Sequence, residues 1–436
     1  MTAVLSSPAV LSGPAVSDSV AGPFIPALAE VVGCDERVRV LDGSSVRYAN
    51  FDYAASAPAL RAVADGLLDA LPQYASVHRG AGALSQITTH RYEQARETVR
   101  RFVRARTDDH VVFTRNTTDS INLLAHCLAE RGGDIVVLDI EHHANLLPWQ
   151  RLSGTRVVTA CGTVEDTLAA LDAELASKPA ALLAITAASN VTGEVLPISR
   201  LASIAHRHGA RILVDGAQLV AHQPISVVSH GIDYLVFSGH KLYAPFGAGV
   251  LVGRGDWLDE ASPYLAGGGA SAEVGADGAP HWHSGPARHE AGSPNVLGAV
   301  SIADACTALA GIGFEHIGHH EHALRERLDA GLAALDGVRP LRIFADTDNR
   351  VGIAGFAVDG FSARTVACYL ADHHGIGVRD GRFCAHPLLA RLGYPDGAVR
   401  ASFGLGTDAD DVDRLLNALS ELVSRRDTGR VEESLG

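Results

Sequence analysis

Between Ile135 and Gly253, short apolar runs alternate with stretches of helical periodicity, and this alternation restricts the fold more than any other feature. The runs are Ile135–Ile140, Ala181–Thr186, Arg211–Val214, Tyr234–Ser238 and Gly249–Gly253. Runs this short, bounded by turn residues, read as strands buried on both faces. Between them, Leu168, Leu171 and Leu175 share one helical face. Strands alternating with helices build an α/β fold around a mainly parallel sheet. An earlier helix is predicted over Tyr92 to Val103. Its inward residues would be Tyr92, Ala95, Val99 and Phe102, with Arg96, Arg100 and Arg104 outward.

The texture changes after about Ser301. Leu324, Leu328, Leu332 and Leu335 mark a long amphipathic helix, followed by a strand-like Val351–Val358. Ser362 is placed to cap the next helix and Gly375 to stop it. The final helix is expected near Thr407, with Asp410 completing a capping box. At 436 residues the chain is long for one ordinary domain. The expected division is a flexible tail over 1–23, a large domain over 24–300, a smaller α+β domain over 301–424 and a flexible tail over 425–436. The N-terminal part of the large unit is allowed to pack on the small one. The segment from Gly275 to Gly285 reads as a long loop.

Composition narrows the function. The net charge of −14 argues against a general nucleic-acid binder. No run of about 18 apolar residues suggests a membrane span, and the first 23 residues lack the positive start of a secretory signal. The six cysteines form no CxxC pair, so reduced thiols in a cytoplasm are expected.

The chemistry-bearing segments gather at predicted strand ends. Tyr234–Ser238 runs into Gly239, His240 and Lys241. A lysine at the end of a buried strand faces the place where an open sheet binds ligands, and its amine can condense with a carbonyl. About 25 residues upstream, Asp215 ends another strand. A carboxylate there can pair with a cationic ring nitrogen, and Gln218 can reach a ring hydroxyl. Glu141-His142-His143 follows a third strand and offers an imidazole that can stack on a flat ring; zinc would need a third ligand that is not evident. Thr117 and Thr118 open a helix whose free amides suit a phosphate, joined by Ser238 and His240. An amine, a carboxylate, a stacking ring and a phosphate cradle together imply pyridoxal 5′-phosphate (PLP). Near the end, Cys384 sits beside Arg382 and His386, and neighbouring positive charge favours the nucleophilic form of a thiol. Arg400 suits a substrate carboxylate.

Taken in order, Phe51-Asp-Tyr-Ala-Ala-Ser-Ala, Ser76-Val-His-Arg-Gly, Asn116-Thr-Thr, Glu141-His-His-Ala-Asn, Ser189-Asn-Val-Thr-Gly, Val214-Asp-Gly-Ala-Gln, Ser238-Gly-His-Lys, Glu290-Ala-Gly-Ser-Pro-Asn and Arg379…Cys384 resemble the class V group of fold-type I PLP enzymes. They look most like the group II cysteine desulfurase and selenocysteine lyase family, from about Tyr48 to Val423. The resemblance implies Lys241 as Schiff-base lysine, His142 as stacking residue, and Asp215 and Gln218 as ring partners. It implies phosphate contacts from Thr117, Thr118, Ser238 and His240. Ser293 would serve the second subunit's phosphate, which implies a homodimer with shared sites. Asn190 falls at a position facing both coenzyme and substrate. His78, Arg379 and Arg400 fall at substrate-contacting positions, and Cys384 matches the persulfide-forming cysteine. The implied reaction converts L-cysteine to L-alanine and passes sulfur to an acceptor protein. A PLP C–S lyase or selenocysteine lyase, or an aminotransferase or epimerase on the same scaffold, are the alternatives. The chain departs from the family at Arg382 and Phe383, where histidines are common, at His386, and at Phe403-Gly-Leu-Gly-Thr. These departures bear on acceptor and substrate and leave the coenzyme contacts unchanged.

Overall fold

A computed structural model describes residues 24–245 and 247–427. The predicted tail 1–23 lies outside the described residues. Of the predicted C-terminal tail, 425–427 close the last helix and the remainder also lies outside.

The centre is a seven-stranded sheet. Its spatial order is Asp109–Thr114, Gly249–Arg254, Tyr234–Ser238, Arg211–Asp215, Leu182–Thr186, Ile135–Leu138 and Thr155–Val158. Gly249–Arg254 runs antiparallel to both neighbours, and every other pairing is parallel. Helices cover both faces, so the inner strands are apolar throughout instead of alternating. Each fully buried aliphatic side chain in them contributes about 1.5–3 kcal/mol. Parallel strands deliver their carboxyl ends to one edge, and Asp215 and Ser238 end neighbouring strands there. The helix Thr117–Arg131 starts at the same edge. Its cap is Asn116, whose Oδ1 accepts from the Asp119 N–H at 2.9 Å, a contact worth about 1 kcal/mol. Gly249 lets the backbone of Asn116 approach, because a Cβ at 249 would overlap it.

A second sheet of five strands has the order Val338–Pro340, Ile353–Val358, Ala398–Ser402, Ile376–Gly381 and Ala49–Phe51. Ala49–Phe51 adds in parallel, so the N-terminal segment does join this sheet. The helices Phe314–Ala334, Ala363–His374 and Ala409–Asp427 share its apolar core, with Leu328, Val366 and Leu415 fully buried. Ser362 Oγ accepts from the Thr365 N–H at 3.0 Å, and Gly375 ends that helix in the left-handed region at φ +63°.

Four expectations need correction. The last helix is capped by Asp408, which accepts from the Asp411 N–H, instead of by Thr407 and Asp410. Position 301 lies inside an unbroken helix, Val296–Ile312, that packs on Arg61–Ala70 and Ala83–Phe102. The chain bends only at Gly313, where the next helix departs at 81°. The expected loop 275–285 includes part of a hairpin, Ser271–Val274 paired with Pro280–Trp282. Arg96, expected outward, is buried, because Glu290 supplies a buried carboxylate for its guanidinium.

Candidate active site

Lys241 closes the short helical turn Gly239–Lys241 directly after the Tyr234–Ser238 strand. Gly239 O accepts from both Leu242 N–H and Ala244 N–H, so the turn folds back tightly on itself. Burial lowers the Lys241 amine to about 8, against the nearby Asp215 carboxylate, which acts in the opposite direction. Burial raises the Asp215 carboxyl, and the Ala217 N–H and the charge of Lys241 only partly offset it. Among the described residues Asp215 accepts through Oδ1 alone, at 3.0 Å, although it is 4% exposed.

Both residues line one cavity of about 290 Å³. His142 lines it too, and burial together with the charge of Lys241 pushes its imidazole down to about 4. Its Nδ1 accepts from the Ala144 N–H at 3.0 Å, which places the ring proton on Nε2. Behind it, Glu141 is fully buried. Glu141 Oε1 accepts from Thr186 N–H at 2.9 Å and Oε2 from the Asn145 amide at 2.7 Å. These bonds tie the His142 turn to the strand beside Asp215.

Polar side chains also line the cavity. Thr117, Thr118, Ser238 and His240 line it at the start of the Thr117–Arg131 helix. Ser238 Oγ lies 2.7 Å from both the Thr117 amide and its hydroxyl. Gln218 lines the cavity, with its amide donating to Ala54 O at 2.9 Å.

Cys384, Phe383, Asn190, Arg379 and Arg400 line the same cavity. Phe383 and Cys384 are consecutive left-handed residues at φ +50° and +53°. Such positions cost about 1–3 kcal/mol each and persist only where the surroundings hold them. Here the Asn190 amide donates to Phe383 O at 2.7 Å, and the His143 N–H donates to Cys384 O at 2.8 Å. The guanidinium of Arg400 lies 5.2 Å from the Phe383 ring centroid. Thus Cys384 is exposed, yet its backbone is fixed. Arg400 is buried; it donates to Asn190 O at 2.9 Å and to Asp52 Oδ1 at 3.0 Å, while its Nε is left without a partner. His386 packs edge-on against His143, ring centroids 4.5 Å apart.

Two expected site residues are not brought here. His78 pairs with Glu93 at 2.9 Å in a different cavity, shared with Arg79 and Glu290. Ser293 is exposed and lines a third cavity, beside Arg115 and Tyr264. Asp52, the partner of Arg400 and Arg379, was not assigned a role from the sequence. Its position inside Phe51-Asp-Tyr-Ala-Ala-Ser-Ala was the available signal. Among the described residues no group of three or more His, Cys, Asp or Glu side chains is arranged to hold a metal ion.

The donor set fits PLP. A buried carboxylate accepts through one oxygen only, an imidazole on the cavity wall holds its proton on Nε2, and the start of a helix with its hydroxyls lines the same cavity. A large mainly parallel sheet with this cavity at its carboxyl edge, and a smaller sheet supplying an arginine, define an α/β enzyme of fold type I. The aminotransferase class-V family model matches residues 49–415. The cysteine desulfurase of Klebsiella pneumoniae is 38% identical over 362 residues, covering 80% of this chain and 86% of its own. That of Dickeya dadantii is 37% identical, covering 88% and 93%. The apo structure of a cysteine desulfurase from Thermococcus onnurineus aligns with a TM-score of 0.81 at 35% identity, over 86% of this chain and 95% of the other. A cysteine desulfurase from Escherichia coli gives 0.77 at 35% identity, over the same shares. The chain belongs to the class-V aminotransferase family, on its cysteine desulfurase branch.

Proposed function

We propose that the protein is a PLP-dependent cysteine desulfurase that converts L-cysteine to L-alanine and retains the sulfur on Cys384 as a persulfide. The bound coenzyme supplies an electron sink next to the substrate α-carbon. Asp215 would pair with its ring nitrogen, His142 would lie against the ring, and Gln218 would reach its hydroxyl. Thr117, Thr118, Ser238 and His240 hold the phosphate, with Ser293 serving a second copy in a homodimer. The exposure of Ser293 outside this chain's own cavity supports that last assignment.

Arg400, which lines the cavity and is held by Asp52 and Asn190, orients the substrate carboxylate, and Asn190 and Arg379 frame it. The Lys241 amine, with its lowered proton affinity, is suited to take the α-proton and return it. Cys384 Sγ attacks the substrate sulfur. A sulfur–sulfur bond forms, the sulfur–carbon bond breaks with its electron pair going to carbon, and protonation of that carbon gives alanine. The persulfide then passes to an acceptor protein, for which exposed Cys384 is accessible. A reducing cytoplasm is the setting that keeps such a thiol available.

One observation carries this reading: an exposed cysteine on a rigidly held loop lines the same cavity as Lys241 and Asp215. The test is product analysis with L-cysteine for the wild type and Cys384→Ala. The wild type should give alanine, and the variant should lose alanine formation while keeping the coenzyme. Pyruvate with sulfide, or full turnover by Cys384→Ala, would identify a C–S lyase instead.

A further inference from the structure

Two residues beyond Lys241, Tyr243 holds φ at +59°. This is the left-handed region, where a bulky side chain is rare and glycine is the easy choice. The tight turn Gly239–Ala244 requires the reversal, since Ala244 N–H must return to Gly239 O at 2.9 Å. A tyrosine stands here for a reason that lies in its side chain. The ring is 1% exposed and meets Tyr53 edge-on, centroids 6.2 Å apart. The hydroxyl accepts the Leu405 N–H at 3.0 Å, in the segment that follows the Ala398–Ser402 strand. The space is kept by Gly404, where an added Cβ would overlap that hydroxyl and crowd Tyr53. Gly404-Leu405 lies in the segment after Arg400 that departs from the family pattern.

The bond has partners on the same line. Ala57 N–H donates to His240 O at 2.8 Å, and Ala54 N–H to Ser402 Oγ at 2.9 Å. The Lys241 turn is thereby linked to the strand carrying Arg400 by the 52–57 segment, and Tyr243 links it to Leu405 in the segment that leaves that strand.

We infer that Tyr243 is a positioning residue: its hydroxyl couples the Lys241 turn to the segment that leaves the Arg400 strand and so sets the distance between the lysine and the carboxylate clamp. This rests on the assignments of Lys241 and Arg400 made above. Because the clamp holds substrate and not coenzyme, disturbing the link should weaken substrate binding first.

The experiment compares holoenzyme of the wild type, Tyr243→Phe and Gly404→Ala. Tyr243→Phe removes only the hydroxyl, and Gly404→Ala displaces it from the other side. Both should raise KM for L-cysteine at least fivefold, change kcat less than twofold, and keep the visible absorbance of the lysine-bound coenzyme. Near-ultraviolet circular dichroism checks that each variant is folded. If one variant fails to fold, the KM of the other decides. An unchanged KM in a folded variant overturns the inference, and so does a proportionate loss of kcat and coenzyme absorbance, which would mark general damage. Lys241→Ala is the separate control: retention of lysine-type absorbance in it would refute the lysine assignment and not the Tyr243 link.

Discussion

The proton affinity of Lys241 makes a prediction that can be worked through. Its amine is lowered from 10.5 to about 8, chiefly by burial, with Asp215 opposing. Only the neutral amine attacks an aldehyde. At pH 7 an amine titrating near 8 is about one-tenth neutral, whereas one at the ordinary value is neutral in about three parts in ten thousand. The gain in reactive fraction is about 300-fold. Reconstitution of coenzyme-free protein, followed by stopped-flow absorbance, should therefore accelerate about tenfold per pH unit below 8 and level off near 8. Asp215→Asn removes the charge that sustains the protonated amine, so the plateau should begin at lower pH. A rate that keeps climbing toward pH 10.5, in either protein, would refute the reasoning.

Two further outcomes follow from the site. Arg400→Gln should raise KM for L-cysteine about 10- to 100-fold, the value of charge-assisted hydrogen bonds at about 1.5–3 kcal/mol, as read from steady-state kinetics; an unchanged KM would remove Arg400 from the clamp. His142 is depressed to about 4 in the folded protein from 6.5. Between these values the unfolded chain binds more protons, so this residue makes stability fall as pH drops from 6.5 to 4, with no further loss below. The cost is at most about 3 kcal/mol. Urea unfolding of coenzyme-free protein at pH 7 and 4.5 should show a smaller acid loss in His142→Gln; an equal loss in both would contradict the burial of a neutral ring.

Much of the large sheet was legible because its strands are short, apolar throughout and separated by helical periodicity. Tyr234–Ser238 is the clearest case, apolar up to the serine that ends it. The cavity residues followed from strand ends, which collect at one edge in a parallel sheet. What escaped was set by contacts distant in sequence. Arg96 shares its helix stripe with other arginines, and its burial relies on Glu290, 194 residues away, together with the nearer Glu93 and the Val111 carbonyl. Asp52 acquires its role through Arg400, 348 residues on. Tyr243 looks like one more apolar residue after a strand until its backbone angle and its bond to Leu405 are seen. The hairpin at 271–282 was hidden because its strands are short and largely exposed, leaving no buried face to impose a pattern.

If a lysine-held coenzyme and a nucleophilic cysteine act on one substrate in one cavity, alanine and enzyme-bound sulfur must appear together. The most direct measurement is a single turnover of holoenzyme with limiting L-cysteine, without reductant, followed by peptide mass mapping and amino-acid analysis. One alanine should be released for each extra sulfur atom found on the peptide containing Cys384. Alanine absent and that peptide unmodified, with pyruvate in solution, would contradict it.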